Sequence, residues 1–65
     1  MIHVIISYKD NSSVKTSVMN EDVAKKYIDA IITVYRDDQL IEHIQKIETV
    51  DYLTKERKTV YPVVN

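Results

Sequence analysis

The chain has no cysteine, glycine, tryptophan or phenylalanine, and only one proline in 65 residues. Without cysteine, it can form neither a disulfide nor a thiolate metal cluster. Without glycine, it lacks the phosphate-binding loops of nucleotide enzymes, whose backbone must approach the phosphate closely. A chain of this size buries only about 60% of its unfolded surface, and its core rarely supplies more than about 3–5 kcal/mol. Self-association is therefore the expected additional source of stability.

The formal net charge is −1, so no overall field attracts nucleic acid or an anionic membrane. Acidic residues concentrate in residues 21–42, where six Asp or Glu stand against three Lys or Arg, a net charge of −3. The apolar N-terminal segment lacks the basic start and the cleavage site of a signal peptide. No stretch approaches the about 20 apolar residues of a membrane span. We therefore expect a soluble, cytoplasmic protein.

Two N-terminal segments alternate apolar and polar residues, the pattern of strands with one buried face. The apolar positions are Ile2, Val4, Ile6 and Tyr8 in the first segment and Val14, Thr16 and Val18 in the second. We expect a hairpin in which Tyr8 faces Thr16 and Ile6 faces Val18. Asn11 is expected in the left-handed conformation within the loop at 11–13.

A helix is predicted after this hairpin. Asn20 is a good N-cap, and Glu21 and Asp22 follow it at the end where the helix dipole favours negative charge. The positions with helical spacing form an apolar stripe of Ala24, Tyr27, Ile28, Ile31, Val34 and Tyr35. Val23 and Ile32 lie off this stripe, so they either widen the buried face or leave a patch for a partner.

Residues 38–53, "DQLIEHIQKIETVDYL", have two interpretations. The apolar spacing up to Ile47 fits a second short helix over 38–47 before a C-terminal hairpin. Alternatively, one long third strand begins at about His43, and a bulge at 48–49 returns Ile47 to the core side. The strand is the interpretation we adopt, because the end of the chain offers it a partner.

The last segment predicts a hairpin with a charged turn between Lys55 and Lys58. Its expected cross-strand pairs are Leu53 with Val60, Tyr52 with Tyr61, and Val50 with Val63. Pro62 lacks an N–H, so either the last strand is an edge strand or the Pro62 nitrogen points outward. The predicted fold is α+β: a four-stranded antiparallel sheet in the order β-β-α-β-β, with one helix packed on one face.

Catalytic and metal sites are not indicated by the remaining polar residues. The serines and the two histidines, His3 and His43, are accompanied by no nucleophile-elbow or oxyanion-loop sequence. Glu42, His43 and Glu48 do not complete a three-ligand or four-ligand metal site within one chain. We therefore expect a non-enzymatic protein without a cofactor or metal.

Two patches are candidate binding surfaces. The sheet face opposite the helix is expected to bind a protein partner through Ile5, Met19, Leu53 and Val60. The C-terminal hairpin offers basic and aromatic side chains for nucleic acid, namely Tyr52, Lys55, Arg57, Lys58 and Tyr61. The leading hypothesis is a homodimeric protein-interaction module that uses the open face or an edge strand. Nucleic-acid binding is the alternative.

In size and layout the chain resembles small accessory proteins of phages and mobile elements in Gram-positive bacteria. That resemblance implies an accessory or inhibitory protein that acts by binding a host or partner protein. It assigns no functional residue.

Overall fold

The computed structural model describes residues 1–62. Four strands, β1 (Ile2–Tyr8), β2 (Ser13–Val18), β3 (Ile44–Asp51) and β4 (Arg57–Tyr61), form one sheet, and a helix, α1 (Glu21–Asp37), separates β2 from β3 in the chain. The sheet order is β2-β1-β3-β4, and every neighbouring pair is antiparallel. The predicted β-β-α-β-β fold with one helix is confirmed.

The core lies between α1 and the sheet and is thin. Its buried hydrophobic residues are Ile2, Val4 and Ile6 of β1, Ala24 and Ile28 of α1, and Ile44 and Ile47 of β3. Only Val4 and Ile47 are almost completely enclosed. Fully burying one such side chain contributes about 1.5–3 kcal/mol, so this core has little excess over the conformational entropy lost on folding.

The predicted helix begins as expected. The Val23 N–H donates to the Asn20 side-chain oxygen at 3.0 Å, which confirms Asn20 as the N-cap. The buried stripe differs from the predicted one at two positions, because Ile32 packs against the core whereas Val34 is exposed. Ile32 thus widens the buried face, and Val34 lies on the flank of α1.

The first hairpin is confirmed, but its register is not the predicted one. Ile6 pairs with Val14 and Val4 pairs with Thr16, so β2 is shifted relative to β1. The cause is the turn, where the Asp10 carboxylate accepts from the Ser12 N–H at 2.9 Å. Asn11 has φ 74°, the predicted left-handed conformation. The shift is by an even number of residues, so the apolar sets still share one face.

The segment 38–53 combines parts of both interpretations. A 3-10 turn at Ile41–His43 is all that forms of a second helix, and β3 starts directly after it at Ile44. Against β1, β3 runs regularly through the predicted bulge at 48–49, and its irregularity lies beside Gln45, between the pairs Ser7 with Lys46 and Tyr8 with Ile44. The pairing with β4 is irregular between Ile47 and Glu48, next to the predicted position. The bulge beside Gln45 brings both Ile44 and Ile47 to the core side although they are three residues apart.

The C-terminal hairpin is also confirmed with a different register. Val50 pairs with Arg57 and Ile47 with Tyr61, rather than Leu53 with Val60 or Tyr52 with Tyr61. Asp51 closes the turn early, because its carboxylate accepts hydrogen bonds from the N–H groups of Leu53 at 2.8 Å and Thr54 at 3.2 Å. These main-chain bonds lower the pKa of Asp51.

β4 is an edge strand of the sheet, which agrees with the expectation from Pro62. The predicted partner of Val50, Val63, lies outside the described residues. Within residues 1–62, no helix is long and apolar enough to cross a membrane.

Candidate interaction surfaces

The four residues predicted to form one partner-binding face do not lie together. Ile5 is half-buried on the open face of the sheet, opposite α1. Met19 and Leu53 are exposed in the connections after β2 and β3. Val60 lies on the helix side, packed against the core, because a bulge in the β3–β4 pairing displaces it. The open face therefore has less apolar surface than the sequence pattern indicated.

The predicted nucleic-acid patch is divided between two faces of the sheet. Arg57 lies on the open face, where it forms an ion pair with Glu48 at 3.6 Å. Lys58 lies on the helix side and bonds to Glu21 at 3.4 Å. The Lys55 ammonium lies 4.4 Å from the ring centre of Tyr52. All three cations are already engaged within the chain, and binding of nucleic acid stays a prediction.

Tyr61, the remaining member of that patch, lines a groove between α1 and β4. The groove has a volume of about 610 Å³ and an apolar floor that includes Ile28, Ile32 and Val60. It exists because α1 packs mainly over β1 and β2 and leaves the helix side of β4, and of Thr49 beside it on β3, less covered. Its rim carries both signs of charge, including the Lys58–Glu21 pair. That mixture selects no single class of partner.

The open face has a buried carboxylate at its centre. Glu48 projects from β3 and is buried beneath Lys46 and Arg57, with which it forms ion pairs at 3.5 and 3.6 Å. Its charge neutralises part of the basic character of this face. Sequence reasoning missed this cluster, because it depends on which strands are neighbours.

His3 lies on the open face of the sheet, directly opposite Ser17 of β2. Its Nδ1 is 2.7 Å from the Ser17 hydroxyl, and the Tyr52 ring packs against the imidazole edge-on with centroids 5.7 Å apart. His43 is distant in the fold, in the 3-10 turn before β3. Within residues 1–62, no three His, Asp or Glu side chains are grouped as metal ligands.

The two edges of the sheet differ in how they are protected against further pairing. β4 begins with Arg57 and Lys58, has the bulge at Val60 and is followed by Pro62, which are all features that discourage strand addition. β2 pairs with β1 without irregularity and carries Lys15 as its only charge. The edge of β2 is therefore the open one.

The outward main-chain groups of β2 follow from the ladder pattern. The Tyr8 N–H donates to the Ser12 carbonyl at 2.9 Å, which makes this a hydrogen-bonded pair. Hydrogen-bonded and non-bonded pairs alternate along an antiparallel ladder. The N–H and C=O groups of Ser13, Lys15 and Ser17 consequently point away from β1, toward the free edge.

The flank of α1 above β2 carries a second apolar stripe. Val23, Tyr27, Ala30 and Val34 recur at intervals of four, three and four residues, which places them on one side of the helix. Val23 and Val34 are 42% and 54% exposed, and Val14 beneath them on β2 is 49% exposed. We call the outer edge of β2, Val14 and this stripe the β2 edge surface. The spacing was visible in the sequence, but the stronger core stripe masked it.

Tyrosine side chains anchor α1 over β2 and β1. The Tyr27 hydroxyl is 3.2 Å from the Thr16 hydroxyl of β2. The Tyr8 and Tyr35 hydroxyls are 2.8 Å apart, and this hydrogen bond, followed by burial, raises the pKa of Tyr8 to about 12. The first contact fixes the middle of α1 above the middle of β2.

No family model, curated protein or solved structure matches this chain. Its function is therefore argued from the geometry of its own surfaces.

Proposed function

We propose that this chain is a small, non-enzymatic protein-interaction module that binds a protein partner by strand addition at the outer edge of β2. The observation that carries the proposal is the contrast between the edges, since β4 has three protective features and β2 has a single lysine. In strand addition, main-chain hydrogen bonds supply affinity and the adjoining side chains supply specificity.

The β2 edge surface meets both requirements. The main-chain groups of Ser13, Lys15 and Ser17 are available for an added strand. The exposed side chains of Val14, Val23 and Val34 lie beside that strand on the helix side. Removing such apolar surface from water contributes roughly 25 cal/mol per Å².

The expected accessory or inhibitory role in a phage or mobile element, and the cytoplasmic location, stay predictions from the sequence. That the protein is not an enzyme is likewise a prediction from the sequence. It is supported by the placement of His3 and His43 in separate parts of the fold.

The test uses Lys15→Pro, which removes one outward N–H without removing a bond to β1. Proline is tolerated on an edge strand when its nitrogen faces solvent. The matched control is Lys15→Thr, which removes the same charge but keeps the N–H. A synthetic peptide with the sequence of residues 12–19 serves as the added strand, and NMR of the isotope-labelled full chain reports where it binds.

We expect the peptide to shift the NMR resonances of the Ser13, Lys15 and Ser17 amides in the wild-type chain. The Lys15→Thr control should show the same shifts at the edge of β2. Lys15→Pro should lose the response while its β1 amides keep their native shifts. Equal binding to both variants, or shifts confined to the open face or the α1–β4 groove, would contradict strand addition at β2.

A further inference from the structure

We infer that the strand added to β2 is β2 of a second copy, which gives a two-fold symmetric dimer with one continuous eight-stranded sheet. The inference rests on the proposed function and names its partner. Its basis is that both layers of the β2 edge surface, the strand and the helix stripe above it, are complementary to themselves about the same axis.

The strand layer fixes the register. Two copies of β2 must pair through the outward groups of Ser13, Lys15 and Ser17, so only alternate registers form hydrogen bonds. One of these places Lys15 directly opposite the second copy's Lys15, where like charges repel. Of the two registers next to it, one pairs Lys15 with Ser13 of the second copy and has only Val14 opposite itself as a β-branched pair. The other pairs Lys15 with Ser17 of the second copy and Val14 with Val18, and it places Thr16 on the two-fold axis. This register has no charge conflict and two β-branched pairs.

The helix layer has the same symmetry. A two-fold axis perpendicular to the sheet makes the two copies of α1 antiparallel. Val23 then opposes Val34 of the second copy, and Tyr27 opposes Ala30. Both pairs are symmetric about the same point, midway along α1 between residues 28 and 29. No charged residue belongs to this stripe.

One contact places the two centres of symmetry together. The hydrogen bond between Tyr27 and Thr16 brings the midpoint of the helix stripe above the residue that lies on the strand axis. Tyr27 is about 2 Å along the helix from that midpoint, at a rise of about 1.5 Å per residue. We therefore expect one axis to serve both layers.

The spacing between the helices follows from the sheet. Neighbouring strands lie about 4.8 Å apart, and α1 makes most of its sheet contacts with β1 and β2. With its axis taken midway between these two strands, α1 lies about 5 Å from the two-fold axis. The two copies of α1 are then about 10 Å apart, at the upper end of the 8–10 Å range of packed helices. Small side chains such as Ala30 and Val34 suit this distance.

The absence of native cysteine allows a direct test by cross-linking. Non-bonded pairs have Cα atoms about 4.5 Å apart, within the about 4.4–6.8 Å range that disulfides span. Thr16→Cys should therefore form a covalent dimer under mild oxidation. Thr33→Cys, exposed on α1 away from the stripe, is the control and should remain largely monomeric under the same conditions.

A charge pair tests the antiparallel helix contact in the intact chain. Val34→Glu places a carboxylate against Val23 of the second copy and should weaken the dimer roughly tenfold or more by sedimentation equilibrium. Adding Val23→Lys to that variant creates two opposite-charge pairs and should restore most of the affinity. Both positions are exposed in one copy, so the fold of the monomer should persist, as checked by circular dichroism.

The outcomes separate this inference from the proposed function. A wild-type chain that is monomeric at NMR concentrations, yet binds the 12–19 peptide at β2, would overturn the dimer and leave strand addition standing. A dimer that survives Lys15→Pro and does not cross-link through Thr16→Cys would overturn the β2 dimer, and failure of the 12–19 peptide to bind at β2 would overturn strand addition as well. If Lys15→Pro abolishes the dimer, but Val23→Lys does not restore the dimer weakened by Val34→Glu, the antiparallel helix contact would be overturned.

Discussion

Replacing Ile47 by valine tests the assignment of β3 to the core. Ile47 is fully buried on the helix side, whereas Ile5 is half-buried on the open face of the adjacent strand. A buried Ile→Val change costs about 0.5–1.5 kcal/mol. At about 0.05–0.15 kcal/mol per residue, the whole chain has only about 3–10 kcal/mol of stability. The substitution should therefore remove a sizeable fraction of it.

The expected shift is large enough to measure. In a domain of this size, a loss of 1 kcal/mol lowers the Tm by about 4–8 °C. Ile5→Val removes the same methylene from a partly exposed site, so it should cost less. Urea unfolding followed by circular dichroism would compare the two variants, at one fixed protein concentration because association also contributes to stability. If Ile5→Val costs as much as Ile47→Val, the faces assigned to β1 and β3 are wrong.

Three further perturbations follow from local geometry. Gln39 has φ 60° in a chain without glycine, so Gln39→Gly should raise the free energy of unfolding by up to about 1 kcal/mol, more than Asn11→Gly, because asparagine tolerates this conformation. The pKa of Asp51 is lowered in the folded chain, so its ionised carboxylate contributes stability above the unfolded pKa of about 4. This contribution is lost as the pH falls below about 4, so Asp51→Asn should make the free energy of unfolding less dependent on pH in that range. The pKa of Tyr8 is raised to about 12, so its protonated hydroxyl contributes stability below pH 10. This contribution is lost as the pH rises from 10 to 12. In Tyr35→Phe, phenolate absorbance should show the pKa of Tyr8 returning toward 10; an unchanged value would contradict the assigned hydrogen bond.

Periodicity predicted the elements of this fold because each strand and helix has its own apolar repeat. Ile2, Val4 and Ile6 alternate, and Ala24 and Ile28 have helical spacing, so both faces could be assigned before any tertiary contact was known. The cap at Asn20 was predictable for the same reason, since a cap depends only on neighbouring backbone groups.

Pairing registers could not be predicted from periodicity, since several registers put the same faces together. The turns decided them. Asp10 and Asp51 each close a loop by accepting main-chain N–H bonds, which moved both hairpins from their expected registers. The bulge beside Gln45 depends in addition on how β3 meets β1, and no local signal marks it. Glu48 is buried for a similar reason, because its cationic neighbour Arg57 comes from another strand.

The same limitation explains why the four residues expected to form one binding face lie in different parts of the fold. The sequence shows how many apolar residues exceed the needs of a thin core, but only the strand order shows where they emerge. Val14 is apolar on the core side of its strand, yet it is exposed because β2 is an edge strand with no neighbour on its outer side. Val23 and Val34 are exposed on the flank above it. A small chain without disulfides gains most from association that covers such a surface and completes the sheet in the same step. Pairing at β2 does both, whereas a partner on the open face would have to displace the ion pairs of Glu48.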